Sequence, residues 1–337
     1  MKVGLIGTGA ISHKHAQVYR NIGFQVTVCT DVFPEYGKKF AQQYGCEFVP
    51  TYEELCAHPN VDYVDVCTFP DFRLQPLKVC AAHGKHIQVQ KPISVDLKIA
   101  EEMVQVARDA GILLSVVSQH RFDDSSLFLE KAIAAGRLGK LLEIDAYVKW
   151  FRSAEYFSRP IKGSWAVEGG GALINQAVHQ IDIMRWLAGP VKHVVGEWQL
   201  GALHKIESED VLNAMMRFES GVTGLIQAST AFWPGYSERI EIHGTKGTAI
   251  ITGDQLTTWD VQDDHGEPAP LSSHVESGSS DPMAIPLTSF ERQFLDFGDA
   301  IRNKRKPRVA GEEGVAALAV VDAIYRSCRT GEKITLL

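Results

Sequence analysis

The sequence has little of what marks a membrane protein, a nucleic-acid-binding protein or a repeat protein. No apolar run reaches the length of a membrane span. The net charge is −7, which disfavours nucleic acid or an anionic membrane as the main partner, because both attract basic surfaces. No internal repeat is visible. Met1 leads directly into a strand-like run without the pattern of a signal peptide, so we expect a cytoplasmic protein.

Cysteine is scarce and scattered, with six in 337 residues. No two form a C-x-x-C pair and most lie in apolar runs, so we interpret them as reduced core thiols. The closest histidine pairs, His13 with His15 and His83 with His86, have no support from cysteine or carboxylate. We therefore expect no metal site.

A chain of 337 residues is too long for one ordinary hydrophobic core, so we expect two domains. Strand-like and helix-like segments alternate from Lys2 to Val117, which predicts an α/β domain on a doubly wound parallel sheet. After Phe122 strand-like segments predominate, which predicts an α+β domain with a largely antiparallel, open sheet. We therefore predict a first domain over 1–121 and a second over 122–337.

Three stretches complete the second domain. Gln262 to Pro286 is rich in Asp, Ser, Gly and Pro, which predicts a long loop. Phe290 to Ile301 and Gly311 to Arg326 are predicted as two closing helices. Whether these helices pack back on the first domain is left open.

The first strand-like run ends in a glycine-rich turn. Lys2 to Ile6 is followed by a G-x-G-x-x-S pattern and a helix-like segment, which is the context of a dinucleotide-binding turn. Its residues are candidate cofactor ligands: Gly7, Thr8, Gly9, Ala10, Ile11 and Ser12. Asp31 ends the next strand about twenty residues on, where an acid accepts from the ribose 2′-hydroxyl and repels a 2′-phosphate. We therefore favour NAD over NADP; the alternative is that Asp31 merely begins a turn.

Lys91 stands at the end of a later strand of the first domain, where ligands of a parallel sheet bind. It follows a buried strand that ends at Gln90, and it precedes Pro92, which restricts the local backbone. A lysine there can donate to a substrate hydroxyl as a cation or take part in proton transfer. The alternative is a surface lysine.

Three consecutive glycines, Gly169 to Gly171, precede a helix-like segment that runs to Leu187. Glycine lets the backbone approach another group closely. Asn175, His179 and Asp182 follow at spacings of four and three, which places them on one face of a helix. Alone, such a face is more often solvated, and only the rest of the chain favours a functional interpretation.

These features, in this order, resemble the family of glucose–fructose oxidoreductases, inositol dehydrogenases and MocA-like proteins. The similarity covers essentially the whole chain, and its most specific part combines Lys91-Pro92, the three glycines and His179. The resemblance implies a Rossmann domain that binds NAD(P), followed by a domain whose open sheet covers the active site with one face. The other face would make a homodimer or homotetramer. The implied substrate is a sugar, cyclitol or related carbinol.

The resemblance also implies roles for single residues. Lys91 matches the lysine of an E-K-P motif that contacts the reacting hydroxyl and the cofactor. His179 matches the histidine assigned as general base, and Asp182 matches an acid that contacts substrate. Positions that border the cofactor or follow the sixth strand match as well: Thr68, Pro70 and Arg121.

Three residues depart from the family's pattern. Gln90 replaces the glutamate of the E-K-P motif, which removes a negative charge near Lys91. Asn175 replaces an aspartate, so it cannot stabilise an imidazolium by charge or relay a proton. Arg73 stands where many relatives have histidine. The proton relay of inositol dehydrogenases is therefore not expected to apply unchanged.

The hypothesis is hydride transfer between a secondary alcohol of a sugar or cyclitol and the nicotinamide of NAD. His179 takes the hydroxyl proton, Lys91 polarises the same oxygen, and Asn175 orients the substrate. Further candidates for the sugar pocket, with ordinary packing as the alternative for the last four, are Arg121, Asp182, Arg152, Tyr156, Trp165 and Trp233.

Three other functions remain open. A cofactor-retaining lyase or hydrolase would open a glycosidic bond by transient oxidation. A reductase that uses NADH would employ the same residues, because the chemistry is reversible. A non-catalytic regulator would bind the dinucleotide without turnover, although the presence of both Lys91 and His179 argues against it.

Overall fold

The computed structural model describes residues 1–159, 161–273 and 286–336. The predicted loop from Gln262 to Pro286 is therefore covered only in part, since 274–285 lie outside the described residues. The chain divides into two compact units. Unit 1 contains Met1–Gln119 and Leu287–Val315, and unit 2 contains the described parts of His120–Pro286 and Ala316–Leu337.

Two sheets and ten α-helices form the regular structure of the described residues. The strands are β1 (Lys2–Ile6), β2 (Gln25–Thr30), β3 (Glu47–Phe48), β4 (Tyr63–Val66), β5 (His86–Val89), β6 (Leu114–Val116), β7 (Leu141–Lys149), β8 (Val191–Leu200), β9 (Glu209–Phe218), β10 (Thr223–Ser229), β11 (Arg239–Gly244), β12 (Gly247–Thr252), β13 (Gln255–Val261) and β14 (Ile334–Thr335). The helices are α1 (Ala10–Asn21), α2 (Pro34–Tyr44), α3 (Tyr52–Ala57), α4 (Leu74–Ala82), α5 (Leu97–Asp109), α6 (Asp124–Ala134), α7 (Trp165–Glu168), α8 (Val178–Ala188), α9 (Thr288–Asn303) and α10 (Gly311–Thr330). Shorter helical turns lie at Pro70–Phe72, Gln119–Phe122, Tyr156–Ser158 and Leu173–Ala177.

The sheet of unit 1 is parallel throughout, with the strand order β3-β2-β1-β4-β5-β6. All four residues of β4 are buried, as expected for a parallel sheet with helices on both faces. The strand order changes direction at β1, and ligands of such sheets bind beyond the carboxyl ends at that point. The predicted Rossmann domain is therefore confirmed.

Local signals begin and end the helices of unit 1. The Thr51 hydroxyl accepts a hydrogen bond from Glu54 N, as in a Thr-x-x-Glu capping box, and α3 begins there. Pro34 opens α2, and Gly45 ends it with a φ of 69°. That backbone conformation is the one in which glycine is preferred after a helix.

The segment of unit 1 that lies late in the sequence completes its core. The Gln293 side chain of α9 accepts from Ser118 N at 3.0 Å and donates to Val116 O at 2.8 Å. The Ser115 hydroxyl donates to Val309 O at 2.8 Å. These contacts satisfy buried polar groups around the edge strand β6, so the late segment is part of the sheet's support.

The expectation that every cysteine is a reduced thiol is wrong. Cys56 on α3 and Cys80 on α4 form a disulfide, with Cα atoms 5.0 Å apart. The two helices pack against each other, which brings together two residues that are 24 positions apart in the sequence. No C-x-x-C spacing announces such a pair. The cysteines that remain free are Cys29, Cys46, Cys67 and Cys328.

The sheet of unit 2 has the strand order β13-β12-β11-β7-β10-β9-β8-β14. Its neighbouring strands are antiparallel except for β7 and β10, which run parallel. The predicted largely antiparallel sheet is therefore confirmed. Val195 on β8 and Met215 on β9 are register partners and are 43% and 66% exposed, so part of one face carries apolar side chains at the surface. Within the described ranges, no helix is long and apolar enough to cross a membrane.

Candidate active site

The glycine-rich turn of unit 1 joins β1 to α1 with little side-chain cover. Gly7 has a φ of 89°, and a Cβ there would lie 3.2 Å from Cys67 C. A Cβ at Gly9 would meet nothing within 4 Å. Gly9 is also the N-cap of α1, and no side chain caps that helix. Backbone N–H groups at an uncapped helix start bind phosphate well, so the turn fits a dinucleotide's pyrophosphate.

The remaining turn residues divide between surface and interior. Ala10 is exposed and Ile11 is half-buried, whereas Thr8 and Ser12 are buried. The Ser12 hydroxyl donates to Gly7 O. The small Ser12 side chain thereby allows α1 to lie close to the turn, which is the part that a third glycine plays in related turns.

Asp31 lies beside this turn and is bonded to it. One carboxylate oxygen accepts from Thr8 N at 2.7 Å and from Thr8 Oγ1 at 2.8 Å. The other oxygen accepts from Phe33 N at 2.9 Å. Asp31 therefore holds the turn in shape and places a negative charge next to it. Its partner Thr8 was not foreseen, because sequence spacing does not show which hydroxyl a carboxylate will meet.

Two loops at the carboxyl ends of β4 and β5 are tied together by Arg73. This residue is 2% exposed, and its guanidinium donates to Thr68 O at 2.7 Å on one side. On the other side it donates to Gln90 O and Pro92 O, which flank Lys91. Burial lowers the pKa of Arg73 to about 9. The arginine that departs from the family's histidine is therefore a clamp on the Lys91 backbone.

Gln90 connects Lys91 to a buried polar chain. Its Oε1 accepts from Lys91 N at 3.0 Å, and its Nε2 lies 2.8 Å from His15 Nε2. His15 Nδ1 lies 2.7 Å from Asp65 Oδ2, which also accepts from Tyr19 OH at 2.7 Å. With Nε2 of the glutamine facing the ring, His15 must carry its proton on Nδ1. A neutral amide suits this contact, which gives the glutamine at position 90 a structural reason.

His15, Asp65 and Cys67 also form a cluster of metal-type ligands, with donor atoms within 4.8 Å of one another. Their donors are already engaged with each other, since His15 Nδ1 bonds Asp65 and lies 3.4 Å from Cys67 Sγ. We therefore assign the cluster to the support of Gln90 and not to a metal. Pro70, predicted at the same rim, is buried and begins the helical turn Pro70–Phe72.

The glycine-led element of unit 2 is not one continuous α-helix. It begins with a π-helical turn over Leu173–Ala177, and α8 follows from Val178 to Ala188. A π turn holds about one residue more than an α turn, so the simple four-and-three spacing does not describe one face. Asn175 Nδ2 donates to Gly170 O at 3.0 Å and to Gly171 O at 3.2 Å. The prediction of a regular helix over the first turn was wrong.

Glu209 on β9 holds the start of this element. Its carboxylate accepts from Gly171 N and Leu173 N, both at 2.9 Å, and from Tyr325 OH at 2.8 Å. A Cβ at Gly171 would lie 1.8 Å from Glu209 O, so only glycine fits there. Burial raises the pKa of Glu209 to about 7. Sequence reasoning missed Glu209, because its partners are 36 and more residues away.

His179 lies near the start of α8 and is 8% exposed. Its ring meets the ring of His120 edge to face, with centroids 5.1 Å apart. His120 Nδ1 lies 2.8 Å from Asp123 Oδ2. Burial opposes a charge on His120, but the carboxylates of Asp123, Glu238 and Asp254 together outweigh burial and raise the pKa of His120. The predicted base therefore has an ionisable neighbour that the sequence did not reveal.

Arg121 and Asp182 are paired with each other inside unit 2. The guanidinium donates to both carboxylate oxygens, from Nε at 2.7 Å and from NH2 at 2.5 Å. Their side chains are 3% and 7% exposed. A bidentate pair of this kind fixes both side chains. A substrate hydroxyl at Asp182 would therefore share oxygens that already accept from Arg121.

The predicted pocket aromatics fall into separate clusters. Arg152 is buried, and its guanidinium lies over the rings of Trp150 at 4.8 Å and Tyr156 at 5.7 Å. Trp165 lies elsewhere, against Trp198, Tyr325 and Arg329. Trp233 is 75% exposed. The structure thus groups Arg152 with Tyr156, and Trp165 with Trp198, Tyr325 and Arg329.

Comparison with known proteins identifies the family. Residues 1–118 match the model described as the oxidoreductase family with an NAD-binding Rossmann fold, and residues 127–250 match the GFO/IDH/MocA C-terminal domain. The chain belongs to the GFO/IDH/MocA family. The resemblance inferred from the sequence motifs is thereby confirmed.

Three relatives match along nearly their whole length. Inositol 2-dehydrogenase of Rhizobium meliloti (strain 1021) is 27% identical, and the match covers 100% of this chain and 99% of that protein. The 1,5-anhydro-D-fructose reductase of Ensifer adhaerens is 29% identical, with 98% and 96% covered. The WlbA dehydrogenase from Bordetella pertussis, solved with NADH and UDP-GlcNAcA, is 27% identical with a TM-score of 0.88, covering 100% and 98%.

Membership of the GFO/IDH/MocA family makes this protein an NAD-binding oxidoreductase. The prediction of an enzyme and the prediction of NAD as cofactor are confirmed. Unit 1 is the NAD-binding part, and the open space at Gly9 together with the uncapped start of α1 fits that cofactor.

Proposed function

We propose that the protein transfers a hydride between a secondary alcohol of a sugar, cyclitol or sugar derivative and the nicotinamide of NAD. The observation that carries the proposal is the placement of Lys91 at the carboxyl end of β5 in the NAD-binding unit. Arg73 binds the carbonyls on both sides of Lys91, and Gln90 binds its N–H. A lysine whose backbone is fixed at this rim is suited to meet the oxygen of a substrate that reacts with the cofactor.

The substrate class draws support from the relatives. Those named above act on inositol or 1,5-anhydro-D-fructose or bind UDP-GlcNAcA. All three ligands have a polyhydroxylated ring that carries secondary alcohols or the ketone that corresponds to one. The buried Arg152 guanidinium packs on the rings of Trp150 and Tyr156, and the half-buried Tyr156 ring is an aromatic group of the kind that stacks on sugar rings.

The proposed chemistry assigns one task to each group. When bound, NAD supplies the hydride acceptor. His179 takes the proton of the substrate hydroxyl as a neutral imidazole. Lys91 donates a hydrogen bond to the same oxygen and stabilises the negative charge that develops there. Asn175, whose amide nitrogen is bound to Gly170 and Gly171 carbonyls, presents its carbonyl oxygen to the substrate as an acceptor.

The experiment is a panel of sugars, cyclitols, sugar acids and nucleotide sugars with NAD⁺ or NADP⁺, followed by absorbance of the reduced nicotinamide. At least one secondary alcohol should give NADH, with NAD⁺ preferred because of Asp31. His179→Ala should lose at least about a thousandfold in kcat while retaining NAD binding, and His193→Ala on β8 is the matched control.

Three outcomes would contradict parts of this proposal. Wild-type turnover in His179→Ala would remove the base assignment, and a preference for NADP⁺ would remove the role of Asp31. Cofactor that stays bound after desalting, with glycoside cleavage and no net NADH, would favour the cofactor-retaining lyase or hydrolase instead.

The assembly is proposed to be a homodimer or homotetramer formed through the sheet of unit 2. Exposed Val195 and Met215 support this, because they lie side by side on one face of that sheet. Met215→Glu should shift the mass measured by light scattering toward the monomer. An unchanged mass would place the interface elsewhere or exclude it.

A further inference from the structure

A second histidine lies beside the proposed base. His120 stands on the helical turn Gln119–Phe122, and its ring plane makes an angle of 84° with that of His179 at a centroid distance of 5.1 Å. Both side chains are largely buried, since His120 is 13% exposed and His179 as a residue 8%. Two imidazoles this close cannot titrate independently, because a charge on one disfavours a charge on the other.

The Asp123 carboxylate contacts His120 and does not cap the helix that begins at this residue. Asp123 occupies the N-cap position of α6, where an aspartate usually accepts from the first N–H groups of its helix. Its side chain makes no such cap bond. The carboxylate lies instead 2.8 Å from His120 Nδ1, and its side chain is 7% exposed. A buried carboxylate in contact with an imidazole favours the charged form of that ring.

Position 175 lacks the acid that the family's pattern would place before the base. Asn175 is neutral, and its amide donates to the Gly170 and Gly171 carbonyls. No negative charge therefore comes to His179 from this residue. His120 is an ionisable group that does meet the His179 ring.

We propose that the His120–Asp123 pair is the electrostatic partner of His179, holding a positive charge on His120 so that His179 stays unprotonated and able to accept the substrate proton. This role depends on the proposed function of His179 as the base. His120 does not touch the reacting atoms in this scheme and is a positioning residue that acts through His179.

The negatively charged groups around His120 all favour the protonated form of its imidazole. Asp123 is the closest, and Glu238 before β11 and Asp254 between β12 and β13 also favour a proton on His120. They outweigh the cost of burial, so the pKa of His120 is raised. When the two imidazoles of His120 and His179 share one extra proton, that proton therefore resides on His120, and His179 remains neutral.

The pH dependence of kcat/KM tests this arrangement. Removing the neighbouring charge lets His179 protonate more readily, so the acid limb should move to higher pH by about one unit in both His120→Asn and Asp123→Asn. His120→Arg restores a cation and should keep the limb where it is in the wild type. His193→Asn is the control, and it should leave the profile unchanged.

Two results would overturn the proposal. An acid limb that stays in place in His120→Asn and Asp123→Asn, with only the maximal rate reduced, would show a purely structural role. A limb that moves as far in His120→Arg as in His120→Asn would show that charge is not what matters.

A titration that needs no turnover separates this proposal from the proposed function. NMR of protein labelled with ¹⁵N-histidine reports the His179 imidazole directly, with its signals identified by their loss in His179→Asn. The His179 midpoint should rise in His120→Asn and remain in His120→Arg. If His179→Ala keeps its activity, the base assignment fails, and the coupling between the two rings is still decided by this measurement.

Discussion

The two glycine-rich turns of this protein look alike in sequence and differ in what satisfies their N–H groups. In unit 1 the turn at Gly7 and Gly9 leads into α1 without a side-chain cap, and the space at Gly9 is open. In unit 2 the turn at Gly171 is filled by the Glu209 carboxylate, which accepts from two of its N–H groups. An open helix start is a place for a ligand's anion, whereas a filled one is part of the scaffold.

The largest expected effect comes from adding a methyl group to the filled turn. Gly171→Ala would bring Cβ to 1.8 Å from Glu209 O, a backbone atom that cannot move aside easily. We expect a loss of about 3 kcal/mol or more in the free energy of unfolding, with loss of turnover. Urea unfolding measures it. Wild-type stability in this variant would show that the turn is not packed as described.

The same addition in the open turn should leave the fold intact. Gly9→Ala places Cβ where no atom lies within 4 Å, at a φ of −74° that alanine adopts readily. Because the methyl group occupies space that a pyrophosphate needs, we expect the Kd for NAD to rise about tenfold, equivalent to ~1.4 kcal/mol. Calorimetric titration with NAD checks this, and unchanged affinity would place the cofactor's phosphates elsewhere.

Glu209→Gln should destabilise the fold less than Gly171→Ala, by about 1–3 kcal/mol, because one of the two carboxylate oxygens that accept from buried donors is lost. Its pH dependence is more informative. The pKa of Glu209 is raised from 4.5 to about 7, so between these values unfolding releases a proton and wild-type stability falls as the pH rises. The variant lacks this dependence on pH. The difference in the free energy of unfolding between wild type and variant should therefore shrink from about pH 5 to pH 7. A constant deficit in urea unfolding across that range would contradict the raised pKa.

An effect of about the same size as that of Gly9→Ala is expected from the hydrogen bonds that hold the Lys91 backbone. Arg73→Met removes donors to the Gln90 and Pro92 carbonyls, and kcat should fall about tenfold with little change in NAD binding. In a Lys91→Met background the same change should cost almost nothing further, because the clamp acts through that lysine. Arg20→Met on the surface of α1 is the control. Additive losses in the double variant would make Arg73 a general stabiliser only.

The elements that were predicted correctly are those with strong local patterns. The run Lys2 to Ile6, the turn and the helix to Asn21 were foreseen because an apolar strand, glycines and helical periodicity follow one another. No alternation of buried and exposed residues marks β13, because Leu256 is the only buried residue of that strand. The pairing of α3 with α4 through Cys56 and Cys80 also depends on packing that no local pattern shows.

A site residue could be predicted only where its type and its position relative to a strand or helix indicate its role. Lys91 follows from its place after a buried strand, and NAD from the turn with Asp31. The sequence around Glu209 and His120 indicates only a strand and a loop. Their roles depend on Gly171 and His179, which are distant in the sequence. The roles of the predicted site residues in unit 2 remain proposals until the variants are measured.

The way in which unit 1 is completed has a consequence for synthesis on the ribosome. Its edge strand β6 depends on Gln293 and Val309 for hydrogen bonds at Val116, Ser118 and Ser115. A nascent chain that has emerged only as far as unit 2 therefore has an NAD-binding sheet with an unfinished edge. Domains that are continuous in sequence can fold in the order in which they emerge. Here each unit needs a segment from the end of the chain, 287–315 for unit 1 and 316–337 for unit 2, so neither unit can be completed until nearly the whole chain has been made.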